Sequence, residues 1–157
     1  MTLTDRRMFL AGMVAGVFTA SGCTSQGTSE SNDPNGQGIA TREFSITNKN
    51  PSQPFDDKPA VKFDSKANQV IVTGKMWVGN PCHEAKLKTA EYDVETDTLD
   101  VMVGVEKTSQ GCPDSLGASK YEAVISFGNG LPGTVTATEK PPDGPDGWDS
   151  QSRTVER

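Results

Sequence analysis

Leu99, Val101, Val103 and Val105 alternate with Thr98, Asp100, Met102 and Gly104. A period of two belongs to a strand, because successive side chains of an extended chain point to opposite faces, and here one of those faces is apolar. The pattern recurs in Tyr121, Ala123, Ile125 and Phe127, and Val70 to Val78 is a further β-rich run holding Ile71, Val72, Met76 and Trp77. Weaker strands fit Glu43 to Thr47, Ala60 to Phe63, Glu84 to Tyr92 and Thr134 to Glu139. Turn formers separate them at Asn80-Pro81, at Glu95-Thr96-Asp97 and from Gly128 to Gly133. No segment carries a helical period. A strand with one apolar face must bury it against a second layer, so this succession of about seven short strands predicts an all-β fold. The expected architecture is an immunoglobulin-like or related antiparallel β-sandwich. In such a sandwich Tyr121 is either a tyrosine-corner residue, its hydroxyl capping a backbone group, or a plain aromatic at the core edge.

The amino terminus reads differently. Two adjacent arginines, Arg6 and Arg7, precede the uncharged run Met8 to Ala20, which is too short for a bilayer core of roughly 30 Å and fits the apolar region of an export signal. Arg6-Arg7 followed by Met8-Phe9-Leu10 resembles the twin-arginine export signal. Ala20-Ser21-Gly22-Cys23 resembles a lipobox, which implies that Cys23 is lipid-modified and becomes the first residue of the mature chain. The alternative is an uncleaved signal anchor with Cys23 as an ordinary small residue. Twin-arginine export implies in turn that the domain folds before it crosses the membrane. The expected organisation is a signal peptide over 1–22, a lipidated cysteine and polar tether over 23–41, a β-sandwich over 42–140 and a flexible polar tail over 141–157.

The charge balance narrows the function classes. Lys plus Arg number 15 against 21 Asp plus Glu, a net of −6, so no basic face is available to draw nucleic acid. A single histidine, His83, excludes sites that need two imidazoles, and no cofactor-binding motif is present. With Cys23 taken by lipid, Cys82 and Cys112 remain as a pair in an oxidising compartment, where they are expected to form a disulfide. The competing reading makes Cys82, His83 and Cys112 soft metal ligands with Met76 or Met102 as a fourth, although adjacent residues on a strand face opposite ways. His83 is the one possible imidazole base for a hydrolase, but no Gly-x-Ser-x-Gly elbow accompanies it. Glu84, Lys86 and Lys88 alternate with Ala85 and Leu87 as the wet face of a strand. Asp143, Asp146 and Asp149 recur among glycines without the spacing of a calcium loop, and turn chemistry accounts for them.

Val72-Thr73-Gly74, Asn80-Pro81-Cys82-His83, Thr98-Leu99-Asp100-Val101, Cys112 and Tyr121-Glu122-Ala123-Val124 together resemble an uncharacterised domain of lipoproteins from halophilic archaea. The region is also distantly similar to the carboxy-terminal domain of a bacterial lipoprotein that stabilises a surface protease complex. No catalytic residue comes with either likeness. They imply an interaction role; together with the export signal and lipobox, the expectation is a lipid-anchored interaction module on the outer face of the cytoplasmic membrane, partnered by the membrane and by an unknown extracytoplasmic protein or ligand. The alternatives are an extracytoplasmic hydrolase using His83 and an abundant structural component of the cell surface.

Overall fold

A computed structural model describes residues 38–52, 57–113, 115–143 and 149–157. Arg6, Arg7 and Cys23, with the expected signal peptide and most of the tether, lie outside the described residues. Eight strands follow in chain order: β1 (Ile39–Lys49), β2 (Ala60–Asp64), β3 (Gln69–Gly79), β4 (His83–Asp93), β5 (Thr98–Lys107), β6 (Gly117–Phe127), β7 (Thr134–Glu139) and β8 (Gln151–Glu156). They build two four-stranded sheets, β1-β6-β3-β2 and β4-β5-β7-β8, packed face to face as a β-sandwich. The strand order is not the immunoglobulin order, in which the first two strands pair side by side.

The alternating residues do what their period requires. Leu99, Val101 and Val103 of β5, Tyr121, Ala123, Ile125 and Phe127 of β6, and Val70, Val72, Met76 and Val78 of β3 meet in one core between the sheets. Asp100 and Glu106 of β5 stay exposed.

Two β-hairpins share one loop design. In each, an aspartate side chain accepts backbone N–H bonds inside its own turn, and the residue four positions later takes a positive φ. Asp64 Oδ1 accepts from Lys66 N at 3.0 Å and Ala67 N at 3.2 Å, and Asn68 has φ 51°. Asp93 Oδ1 accepts from Glu95 N at 2.8 Å and Thr96 N at 3.4 Å, and Asp97 has φ 51°. Asn and Asp tolerate this left-handed conformation best among residues with a Cβ. Each positive-φ carbonyl then ties the hairpin to a neighbouring strand: Phe127 N donates to Asn68 O at 2.9 Å, and Thr134 N donates to Asp97 O at 3.0 Å. Both hairpins therefore mark one pole of the sandwich, where β1, β5 and β7 begin.

At the opposite pole the chain changes sheets through Gly79-Asn80-Pro81-Cys82, and returns from β5 to β6 through residues 108–116. Gly117 packs so closely on the Asn80-Pro81 backbone that a Cβ there would lie 2.8 Å from Asn80 carbonyl atoms. Glycine is required by that approach.

Three expectations are corrected. The segment 141–157 is not wholly a loose tail: β8 lies inside it and pairs with β7 from Gln151↔Glu139 to Glu156↔Thr134. Its residues are polar because an edge strand needs only one side covered. Ile39 already belongs to the folded domain, ahead of residue 42, because it buries its side chain in register with Phe127. The sheets are not wholly antiparallel, since β5 and β7 run parallel from Thr98↔Thr134 to Val103↔Glu139. Strand β6, in the other sheet, serves as the crossover that a parallel pair needs.

Candidate functional site

The disulfide pole gathers the residues singled out for chemistry. Cys82 and Cys112 form a disulfide, with Cα atoms 5.7 Å apart and a sequence separation of 30. Thr108 fastens the same loop, its N–H and its hydroxyl both donating to Cys82 O, at 2.7 and 3.0 Å. Asn80 shapes the turn before it. Its Oδ1 accepts Cys82 N–H at 3.1 Å and meets His83 Nδ1 at 2.8 Å. An amide nitrogen cannot accept from Cys82 N–H, so the atom between them is the oxygen, and His83 Nδ1 must carry the proton. In the uncharged ring this tautomer leaves Nε2 as an acceptor. The ring is half-buried at the start of β4, opposite Lys107.

Both sulfurs of the metal-site reading are committed to the disulfide. Met76 lies in the core, and Met102 lies on the other face of β5 from Val101 and Val103. No three His, Cys, Asp or Glu side chains converge as a metal site among the described residues. Glu84 and Lys86 stand on the wet side of β4 as expected. Glu84 pairs with Lys49 across the sheets, and Lys86 with Glu106 at 3.0 Å. A bulge between Leu87 and Thr89 then shifts the alternation, and Lys88 lies over Gly104. At this pole Leu116, which precedes Gly117 in the chain, has 62% of its surface exposed.

A second polar constellation, in the core itself, escaped the sequence reading. Tyr121 of β6 and Glu139 of β7 are each 1% exposed, and the tyrosine hydroxyl donates to Glu139 Oε1 at 2.7 Å, across the sandwich from one sheet to the other. The tyrosine-corner expectation is corrected accordingly: the hydroxyl partner is a carboxyl group, not a backbone group. The Tyr121 ring stacks on Phe44 with centroids 5.5 Å apart, which aims the hydroxyl inward. Gly74, paired with Tyr121 in the β3–β6 ladder, leaves the space the carboxyl occupies; a Cβ there would lie 2.6 Å from the tyrosine oxygen and closer still to Glu139 Oε1. Burial pushes the Glu139 carboxyl up to about 7, with the Tyr121 hydrogen bond opposing part of that rise. Burial and the neighbouring carboxyl push the Tyr121 hydroxyl well above its ordinary value. The sequence carries its signal, since Val135, Ala137 and Glu139 share one face of a period-two strand, but a carboxylate on that face looks like a strand end.

No protein-family model matches the chain, and no match is found among curated proteins or solved structures. Fold and geometry therefore carry the functional argument.

Proposed function

We propose that this protein is a lipid-anchored extracytoplasmic interaction module that works without catalysis, attached through Cys23 and presenting its disulfide pole to a partner. The observation that carries the reading is the polarity of the fold. Strand β1 begins at the hairpin pole and runs 11 residues, about 35 Å at ~3.3 Å per residue, to the pole where Cys82 and Cys112 are bridged. A tether entering at Ile39 from a membrane-bound Cys23 holds the hairpin pole toward the lipid and turns the stapled loops outward. Those loops carry an exposed Leu116 on a framework fixed by the disulfide, the Asn80 turn and Gly117. Rigid loops on a scaffold are the usual seat of recognition.

Membrane fractionation tests the anchor. Cys23→Ala is expected to release the protein or leave it unprocessed, and Arg6-Arg7→Lys-Lys to block export; full membrane retention of the Cys23→Ala protein would mean an uncleaved helix instead. Site-specific photocrosslinking from position 116 tests the recognition surface. A discrete adduct in intact cells, absent when the probe is moved to the hairpin-pole position 66, is expected. Equal or absent labelling at the two positions would defeat the assignment.

A further inference from the structure

Glu139 is the last residue of β7, and its neighbour Lys140 donates its backbone N–H to Val103 O at 2.8 Å. Across from it in β8 stands Gln151, the first residue of that strand. The buried carboxyl thus sits where the β7–β8 pair opens into its connecting loop, not in the middle of a ladder. We infer that Glu139 is a proton-controlled latch on this end of the pair: protonated, it stays closed on Tyr121 between the sheets; ionised, it drives the end of β7 to peel away and hydrate.

The surroundings of the carboxyl supply the reason. From β3 it meets Gly74, which has no side chain, while Lys75 belongs to the opposite face of that strand. From β6 it meets Tyr121, with Lys120 and Glu122 on the outer face. From β5 its register partner is Val103, and from β8 it is Gln151; Arg153, the one charged side chain on the same face of β8, is exposed and in register with Ala137. On β2 the charged Lys62 is exposed and alternates with the half-buried Val61 and Phe63. No cation on these elements answers the carboxylate, and a buried charge without a partner is costly. Hydration at the strand end is the available relief.

The sign follows from linkage. A carboxyl group that titrates near 7 when closed and near its ordinary 4.5 when hydrated binds its proton more tightly in the closed state. The closed form is therefore fully favoured below about 4.5, loses ground as pH rises from there to about 7, and loses no more above it. Within that window the open fraction grows about tenfold per pH unit.

Two readouts on the intact chain test the latch. Carboxyl carbon chemical shifts report the titration of Glu139 directly, with an expected midpoint near neutrality. Amide hydrogen exchange, corrected for intrinsic pH dependence, reports the opening. Protection of the Lys140 amide is expected to fall steeply between pH 5 and 7, whereas the Thr134 amide, bonded to Asp97 O at the other end of β7, is expected to stay constant. Glu139→Gln is expected to flatten the Lys140 response. A Glu139 midpoint among ordinary carboxylates, equal pH responses at Lys140 and Thr134, or an undiminished response in the Gln variant would each overturn the inference. Should the variant fail to fold, the two wild-type measurements still decide.

Discussion

At residue scale the most consequential position is Gly74, because it carries no side chain at all. Any Cβ would enter the space that Glu139 Oε1 and the Tyr121 hydroxyl share when the carboxyl is closed between the sheets, and the Tyr121 ring is held there by stacking on Phe44. Gly74→Ala is expected to cost about 2 to 3 kcal/mol, combining overpacking with a disturbed buried hydrogen bond, as read by urea denaturation. Tyr121→Phe makes the complementary test. It removes the donor, leaves Glu139 Oε1 without that partner, and is expected to cost about 1 to 2 kcal/mol while raising the carboxyl midpoint further, since the lost hydrogen bond was what lowered it.

The hairpins set the terms at the scale of elements. The four-residue connections from Asp64 to Gln69 and from Asp93 to Thr98 use the same pair of devices, an aspartate cap and a positive-φ residue, and each fixes the register of the antiparallel strands it joins. Asn68→Gly should be tolerated, whereas Asn68→Val should lower stability by about 1 to 2 kcal/mol, because a β-branched residue cannot take φ near 51° without strain; thermal melts of the two variants check the difference. Edges are handled by side chains reaching between sheets. Arg42 Nε on β1 donates to Ala90 O on β4 at 3.0 Å, and Lys49 pairs with Glu84, so the two long edge strands on that side are tied to each other. Ser119 adds a buried link, its Oγ accepting Ala85 N–H at 3.4 Å. An edge carbonyl already engaged is a poorer template for a stray strand.

For the whole molecule the disulfide ties together two loops that cross between the sheets, one before β4 and one after β5. Closing a loop of 30 residues is worth about 3.5 kcal/mol on the chain-entropy estimate, a large part of what a domain of this size has in reserve. Reduction, or paired Cys82→Ala and Cys112→Ala replacement, is expected to lower the melting temperature by several degrees without changing the far-ultraviolet signature of the sheets. Strand identity at this scale was legible in the sequence: β3, β5 and β6 announce themselves by alternation, because a half-buried strand needs one apolar face whatever surrounds it. Strand β8 was not legible, since Gln151 to Glu156 hold a single apolar residue and become a strand only by pairing with β7. The parallel β5–β7 pair was likewise hidden, because the direction of β7 depends on β6 having crossed to the other sheet, and the facing of Tyr121, Glu139 and Gly74 depends on three strands distant in sequence. Local facts lie in the sequence alone: where strands alternate and where turns bend. The order of strands, the eighth strand and the buried acid were decided only when two sheets closed on each other, because burial and pairing are properties of contacts between segments that no local pattern contains.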